Sequence, residues 1–278
     1  MNTAKIQLSD QNFNSQQSEK CDLLIRIYPQ RLSYAVIDQR NDQLKVLYDS
    51  PGEGGLKALK NSLAQDPVLK FTYHQVKVSV LTSKFTFVPT EIYSDSDLDS
   101  YALFTYPAID SDVLVKEITA AKIKNISAVD KSLRKYLISN FTDPVIYNQA
   151  SPLIESSLKF YHNTANTSLI LQINSNSFEV LVLKNNIIFY YNLFHTESLN
   201  ELNYFLLGVI RELHLKSTDT DVIISGEVDE GDGTCVCIKK YFNNIIFADS
   251  GLLIRQATIF REVPAHQFFS LIGLNLCE

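Results

Sequence analysis

From Ser168 to Phe194 the chain carries three short apolar segments, SLILQIN, FEVLVLK and IIFYYNLF, parted only by Ser175-Asn176-Ser177 and Asn185-Asn186. Alternating segments of this length, rich in β-branched and aromatic residues, form strands, and breaks this short leave room only for hairpin turns. The result is an antiparallel meander. Leu199–Leu215 then carries apolar residues at helical spacing, and Val222–Ser225 is a fourth apolar strand ending at Ser225-Gly226. A strand reached through a helix lies parallel to its sheet neighbour, so this unit is a mixed sheet with a helix on its face.

The same order occurs once before. Asp22–Tyr28, Leu32–Asp38 and Leu44–Tyr48 read as strands separated by Pro29-Gln30-Arg31 and by Gln39–Gln43. Pro51-Gly52-Glu53-Gly54-Gly55 feeds the helix LKALKNSLAQD, Pro67 stops it, and Val76–Leu81 is the fourth strand. The two copies share element order and almost no sequence, so the repeat is one of architecture. We expect an α/β protein built as a duplicated ribonuclease-H-like fold: two mixed sheets flanked by helices, their central strands starting at Leu23 and Leu169.

The expected domains are a loosely attached leader at 1–20, a first half at 21–164 and a second half at 165–278. The first half includes an irregular insertion around 90–130. The stretch between the repeats predicts a helix at Leu98–Phe104, strands at Val113–Ile118 and Lys124–Ala128, and a helix at Lys131–Asn140. A short strand at Val145–Tyr147, a helix at Pro152–Tyr161 and a polar linker, His162–Thr167, follow. Beyond the second repeat the pattern predicts a helix from Cys235, a strand at Ile245–Phe247 and a closing helix at Ala265–Leu274.

Bulk composition excludes several functions. The chain has 278 residues, 45% hydrophobic and 20% charged, with a net charge of −6. That is ordinary globular composition, and its scattered basic residues give no nucleic-acid footprint. Cys21, Cys235, Cys237 and Cys277 lack the spacing of a disulfide framework or zinc site and read as small buried hydrophobes. No apolar run is long enough to span a bilayer, and no basic leader with an apolar core precedes the fold. The expected location is the cytoplasm.

Two such units in tandem resemble the superfamily of actin, sugar kinases and heat-shock chaperones. The stretch VKVSVLTSKFTFVP is similar to the pilus-assembly and cell-division branch of actin relatives. The whole chain resembles a family of uncharacterised bacterial proteins assigned to the actin-like ATPase fold. The resemblance implies two strand-turn-strand loops of the form Asp-x-Gly. In them the Asp orders metal-bound water and the Gly admits backbone N–H groups to phosphate oxygens.

Neither loop keeps that form. The first turn is Ile27-Tyr28-Pro29-Gln30-Arg31, where Pro29 removes a donor and Tyr28 is bulky. The second is Ile173-Asn174-Ser175-Asn176-Ser177, without Asp or Gly. Val222–Glu227 is closer to the family's adenosine loop. The residues left for a nucleotide are Asn174, Ser175, Ser225 and Gly226, and no metal ligand is expected.

Other motifs carry less. Asp95-x-Asp97-x-Asp99 opens like an EF-hand, but Ser100 and Tyr106 replace the required Gly and Glu. Gly52-x-Gly54-Gly55 lacks the Lys-Ser/Thr of a P-loop and reads as a plain loop. His195, after the third strand of the second repeat, is the histidine nearest the expected cleft. A ribonuclease-H nuclease would need metal-binding carboxylates inside its strands, whereas Asp22 and Asp221 sit at strand starts.

These residues point to a catalytically degenerate actin-like protein that serves as a binding or scaffold module with protein partners and no cofactor. The alternative is an ATP-binding enzyme, using ATP with Mg²⁺ through unconventional ligands. In either case the turns 28–31 and 174–177 should face each other across a cleft. Tyr28 and Arg31 are the side chains that would fill it, with Arg31 free to pair with a carboxylate of the opposite half.

Overall fold

The computed structural model describes residues 4–105, 110–161 and 167–278; most of the expected linker, His162 included, and Tyr106 of the EF-hand-like stretch lie outside them. In chain order the first half contains β1 (Ile6–Ser9), α1 (Ser15–Ser18), β2 (Cys21–Tyr28), β3 (Arg31–Asp38), β4 (Gln43–Pro51), α2 (Gly55–Gln65) and β5 (Gln75–Val80). It continues through β6 (Phe85–Pro89), α3 (Leu98–Leu103), β7 (Ser111–Ile118), β8 (Ile123–Asp130), α4 (Lys131–Asn140), β9 (Val145–Asn148) and α5 (Ala150–Phe160). The second half follows as β10 (Thr167–Asn174), β11 (Ser177–Lys184), β12 (Ile187–His195), α6 (Leu199–Glu212), β13 (Thr220–Gly226), α7 (Gly233–Lys239), β14 (Ile245–Phe247) and α8 (Phe269–Gly273).

The first sheet has the order β1-β4-β3-β2-β5-β9 and the second β12-β11-β10-β13-β14. In each, the central strand pairs antiparallel with the hairpin partner after it and parallel with the strand reached through a helix. β2 and β10 therefore occupy equivalent positions, as the repeat requires. Their hairpins close through two residues each, Pro29-Gln30 and Ser175-Asn176. The β11–β12 turn uses Asn185 and Asn186, both at positive φ, the geometry that matches strand twist in a two-residue loop.

Both sheets are covered on both faces, which is why β2 and β10 read as nearly unbroken apolar runs. Leu23, Ile25 and Ile27 of β2 pack against Leu59 and Leu63 of α2 and against Leu133 and Leu137 of α4. Leu169, Leu171 and Ile173 of β10 pack against Leu202 and Leu206 of α6 and Ile238 of α7. Each such fully buried side chain contributes about 2 kcal/mol by leaving water. Helix starts are marked by capping side chains: Asp130 accepts from Leu133 N, Ser198 from Glu201 N and Asp232 from Cys235 N.

The inner faces of the two sheets turn toward each other with α5 and α8 between them. α5 places Leu153, Ile154 and Leu158 on Ile170, Leu181 and Ile223 of the second sheet. α8 places Leu271 and Ile272 on Leu24, Ala35 and Ile37 of the first. This corrects the expected boundary at 164/165. The helix that ends the first half lies on the second sheet. Ile254, Phe260, Leu271, Ile272 and Leu274 lie on the first, while His266 and Phe269 of the same stretch touch the second. An amphipathic pattern shows that a helix has a buried face; it does not show which sheet buries it.

Three further expectations need correction. The leader is tied down, with β1 pairing antiparallel to β4 and Ile6 buried in the α8-side core. The insertion is regular: β6, β8 and β7 form a separate three-stranded antiparallel sheet that begins at Phe85. The closing helix is broken into α8 flanked by 3₁₀ turns at Ala265–Phe268 and Leu274–Leu276. Residues 267–274 are buried all round, so packing rather than a helical stripe sets their geometry.

Candidate functional site

Alternation along the strands places a polar row on each inner face. Leu24 faces α8, so Arg26 and Tyr28, two and four residues on, share its side of β2. Cross-strand register then aligns Ser79, Arg26, Ser33 and Asp49 in one row across β5, β2, β3 and β4. The equivalent row of the second sheet is Ser225, Gln172 and Glu179 across β13, β10 and β11. All seven side chains are buried.

Within the first row Arg26, Ser33 and Asp49 are linked, while Ser79 Oγ and Arg26 Nε are buried without a hydrogen-bond partner among the described residues. Arg26 Nη2 donates to Ser33 Oγ at 3.0 Å, and Ser33 Oγ donates to Asp49 Oδ1 at 2.6 Å. Arg26 Nη1 also reaches the α8 side, 3.4 Å from both Gln267 O and Ser270 Oγ. Arg31 closes the row with a bidentate pair to Asp49, Nε to Oδ1 at 2.7 Å and Nη2 to Oδ2 at 2.5 Å. Its remaining nitrogen, Nη1, crosses to the other half and lies 2.9 Å from Glu227 Oε2. Burial works against the Arg31 charge, but Asp49 and Glu227 more than offset it and raise the guanidinium pKa.

The second row is less well supplied with donors. Ser225 Oγ donates to Gln172 Oε1 at 2.8 Å. Glu179, fully buried, accepts from Tyr191 Oη at 2.7 Å and at 3.5 Å from Asn174 Nδ2. Burial pushes its carboxyl up to about 7, against the opposing pull of those bonds and of nearby Arg26. The Tyr191 ring is held from the third sheet by Phe85 and Phe87, with centroids 5.5 Å away in each case.

The two turns do meet. Tyr28, Pro29, Gln30 and Arg31 face residues 174–177 across a cavity of about 50 Å³ that Glu227 and His195 also line. A drug-sized ligand occupies about 300 Å³ or more, so this space suits water molecules only. Each residue named for nucleotide contact is engaged with protein. Asn174 bonds Ser177 and Glu179, Ser175 Oγ donates to Glu227 Oε2 at 2.7 Å, and Ser225 turns inward to Gln172. Gly226 has φ +89°, and a Cβ there would stand 2.0 Å from Ile173 O, so its glycine serves the approach of β13 to β10. On the first-half side, Gly54 is packed so closely that a Cβ would stand 1.9 Å from Tyr28 O. The loop 52–55 thus closes over the first turn, and Gly52 N donates to Gln30 O at 2.9 Å.

Arg26, Asp49, Gln172, Glu179 and Glu227 escaped sequence reading. A signal existed for three of them: DLLIRIY, SLILQIN and FEVLVLK each hold one long polar side chain inside an otherwise apolar strand. Among the described residues no group of three His, Cys, Asp or Glu side chains is placed to hold a metal ion. The four cysteines are buried and unpaired. No described helix is long and apolar enough to cross a membrane.

With that geometry in place, comparison with known proteins settles the kinship. The profile described as "Protein of unknown function (DUF3822)" matches residues 10–245. The chain belongs to the DUF3822 family. Among solved structures, this DUF3822 chain is similar to a Bacteroides thetaiotaomicron VPI-5482 protein with an actin-like ATPase fold and unknown function. The TM-score is 0.80 at 18% identity, covering 96% of this chain and 99% of that one. It is also similar to a chain of the PilM-PilN type IV pilus biogenesis complex, with a TM-score of 0.62 at 13% identity, covering 94% and 98%. Curated proteins give no match. The fold is therefore the actin-like ATPase fold, as the repeated element order implied.

Proposed function

We propose that this DUF3822 chain is a catalytically degenerate binding module that works through a protein partner with its cleft held closed, without a nucleotide cofactor. The observation that carries this reading is the cleft itself. The place between the two turns holds about 50 Å³, and Arg31, Glu227 and Ser175 are bonded to one another across it. Both turns lack the carboxylate that would recruit Mg²⁺, and the residues left for phosphate contact are committed to protein partners.

Two further observations support a protein partner. One similar structure is that of a protein complex in pilus biogenesis. Large apolar side chains are also exposed on the second half, among them Ile187, Phe189, Leu199, Tyr204 and Val236, the kind of side chain that protein contact surfaces use. A cytoplasmic location belongs to this reading and agrees with four unpaired thiols.

The test is thermal melting of the whole chain with and without millimolar ATP and Mg²⁺. A ligand that binds only the folded state must raise Tm by mass action. The closed module shows no shift. A reproducible Mg²⁺-ATP shift, lost in Ser175→Ala or Ser225→Ala, would overturn it in favour of an ATP-binding enzyme.

A further inference from the structure

We propose that closing the two halves of the molecule on each other takes up one proton, which Glu179 holds. This deepens the closed-cleft reading by naming what regulates closure, and it rests on that reading.

Around the two turns and the two polar rows the halves bury two guanidinium groups, Arg26 and Arg31, and three carboxyl groups, Asp49, Glu179 and Glu227. Arg31 neutralises Asp49 directly and shares its third nitrogen with Glu227. Arg26 directs its bonds to Ser33, Ser270 and the Gln267 carbonyl, so among the described residues no cation is bonded to Glu179. An ionised carboxylate offers about four acceptor positions. Glu179 receives one short bond, from Tyr191, and one long one, from Asn174. A neutral carboxyl needs fewer donors, and an Asn side chain can present either its N–H or its oxygen to it. With Glu179 protonated, this cluster holds two positive and two negative charges.

The groups around Glu179 limit what else could titrate. They are Asn174 on β10, Tyr191 on β12, and Arg26 and Tyr28 on β2, with Gln149 beyond the Tyr191 hydroxyl. Burial holds both tyrosines above their usual range, and Glu227 reaches the cluster only through its field at Tyr28. When the proton leaves to solvent, Glu179 keeps an unbalanced buried charge, which is relieved if the halves part and admit water. The strength of the burial effect puts that change near neutral pH.

Two measurements on the full chain test the idea: small-angle scattering from pH 5.5 to 8.5, and ¹³C NMR of glutamate carboxyls over the same range. The expected result is a radius of gyration that rises with a midpoint near the titration of one carboxyl, which is missing from the Glu179→Gln spectrum. Glu179→Gln, shaped like the neutral acid, should stay closed throughout. Tyr191→Phe removes the short bond to the carboxylate and should move the midpoint to higher pH. The proposal is overturned by a radius that ignores pH, by the same rise in Glu179→Gln, or, should that variant fail to fold, by an unmoved midpoint in Tyr191→Phe. Nucleotide binding would sink the closed-module reading and leave this titration standing, so the two failures are distinguishable.

Discussion

Arg31, at the start of β3, and Glu227, just past the end of β13, stand 2.9 Å apart although they belong to different sheets. The pair is buried, with 4% and 9% of the side chains exposed, so it escapes the screening that weakens surface ion pairs. Ser175 donates to the same Glu227 oxygen and fixes the carboxylate where Arg31 can reach it. Asp49 fixes the guanidinium from the other side.

Removing one member of such a group leaves buried charge uncompensated. Arg31→Ala should lower unfolding free energy by about 3–5 kcal/mol in urea denaturation, since it strands both Asp49 and Glu227. Glu227→Gln keeps the shape and leaves Arg31 paired with Asp49, so its cost should be about 1–2 kcal/mol. Equal costs for the two variants would contradict the unequal sharing of Arg31.

Gly226→Ala meets two obstacles, the positive φ and Ile173 O at 2.0 Å from the new Cβ. A loss of about 2–4 kcal/mol is expected from strain and backbone displacement, read as a fall in Tm. A variant melting like the parent would show that the end of β13 is free to move away from β10.

Gly208, in the middle of α6, is the opposite case, because nothing lies within 4 Å of the place its Cβ would take. Gly208→Ala should stabilise the protein by about 0.5–1 kcal/mol through helix propensity and unfolded-state entropy. Denaturant titration giving a destabilised variant would mean that the hollow beside Tyr204 and Phe205 is tighter than it stands here.

His266 supplies a pH dependence of its own. Burial lowers its pKa, against the bond to Val228 O and the fields of Asp229 and Asp232. The unfolded chain therefore binds the proton more tightly. Stability is complete above the ordinary value of 6.5 and is lost as pH falls below it. Melting curves from pH 7 down to 5 should show this loss in the parent and a smaller one in His266→Gln. Glu179 has the opposite sign, its contribution fading as pH rises, so the two are separable by slope.

The sequence made the repeat legible because strand alternation, turn residues and helix spacing are local properties. Pro29-Gln30 and Asn185-Asn186 marked their hairpins, and Leu23 and Leu169 marked the central strands. The row Arg26–Ser33–Asp49 stayed hidden because register between strands is a relation among distant residues. Glu227 ends the stretch that resembles the adenosine loop, and only the packing of the two halves brings it to Arg31. The strands Val113–Ile118 and Lys124–Ala128 of the third sheet were legible, but their pairing with each other and with β6 was not, since it too is a relation among distant residues.

The placement of α8 and its flanking turns on the first sheet has a consequence for biosynthesis. As the nascent chain lengthens, Leu24, Ala35 and Ile37 gain their cover only after residues beyond 250 have been made. Until then one apolar side of that sheet is open to water and to other chains, an exposure that invites misassembly in slow-folding proteins. The first sheet is thus made well before the segment that seals it, and its inner face is covered late.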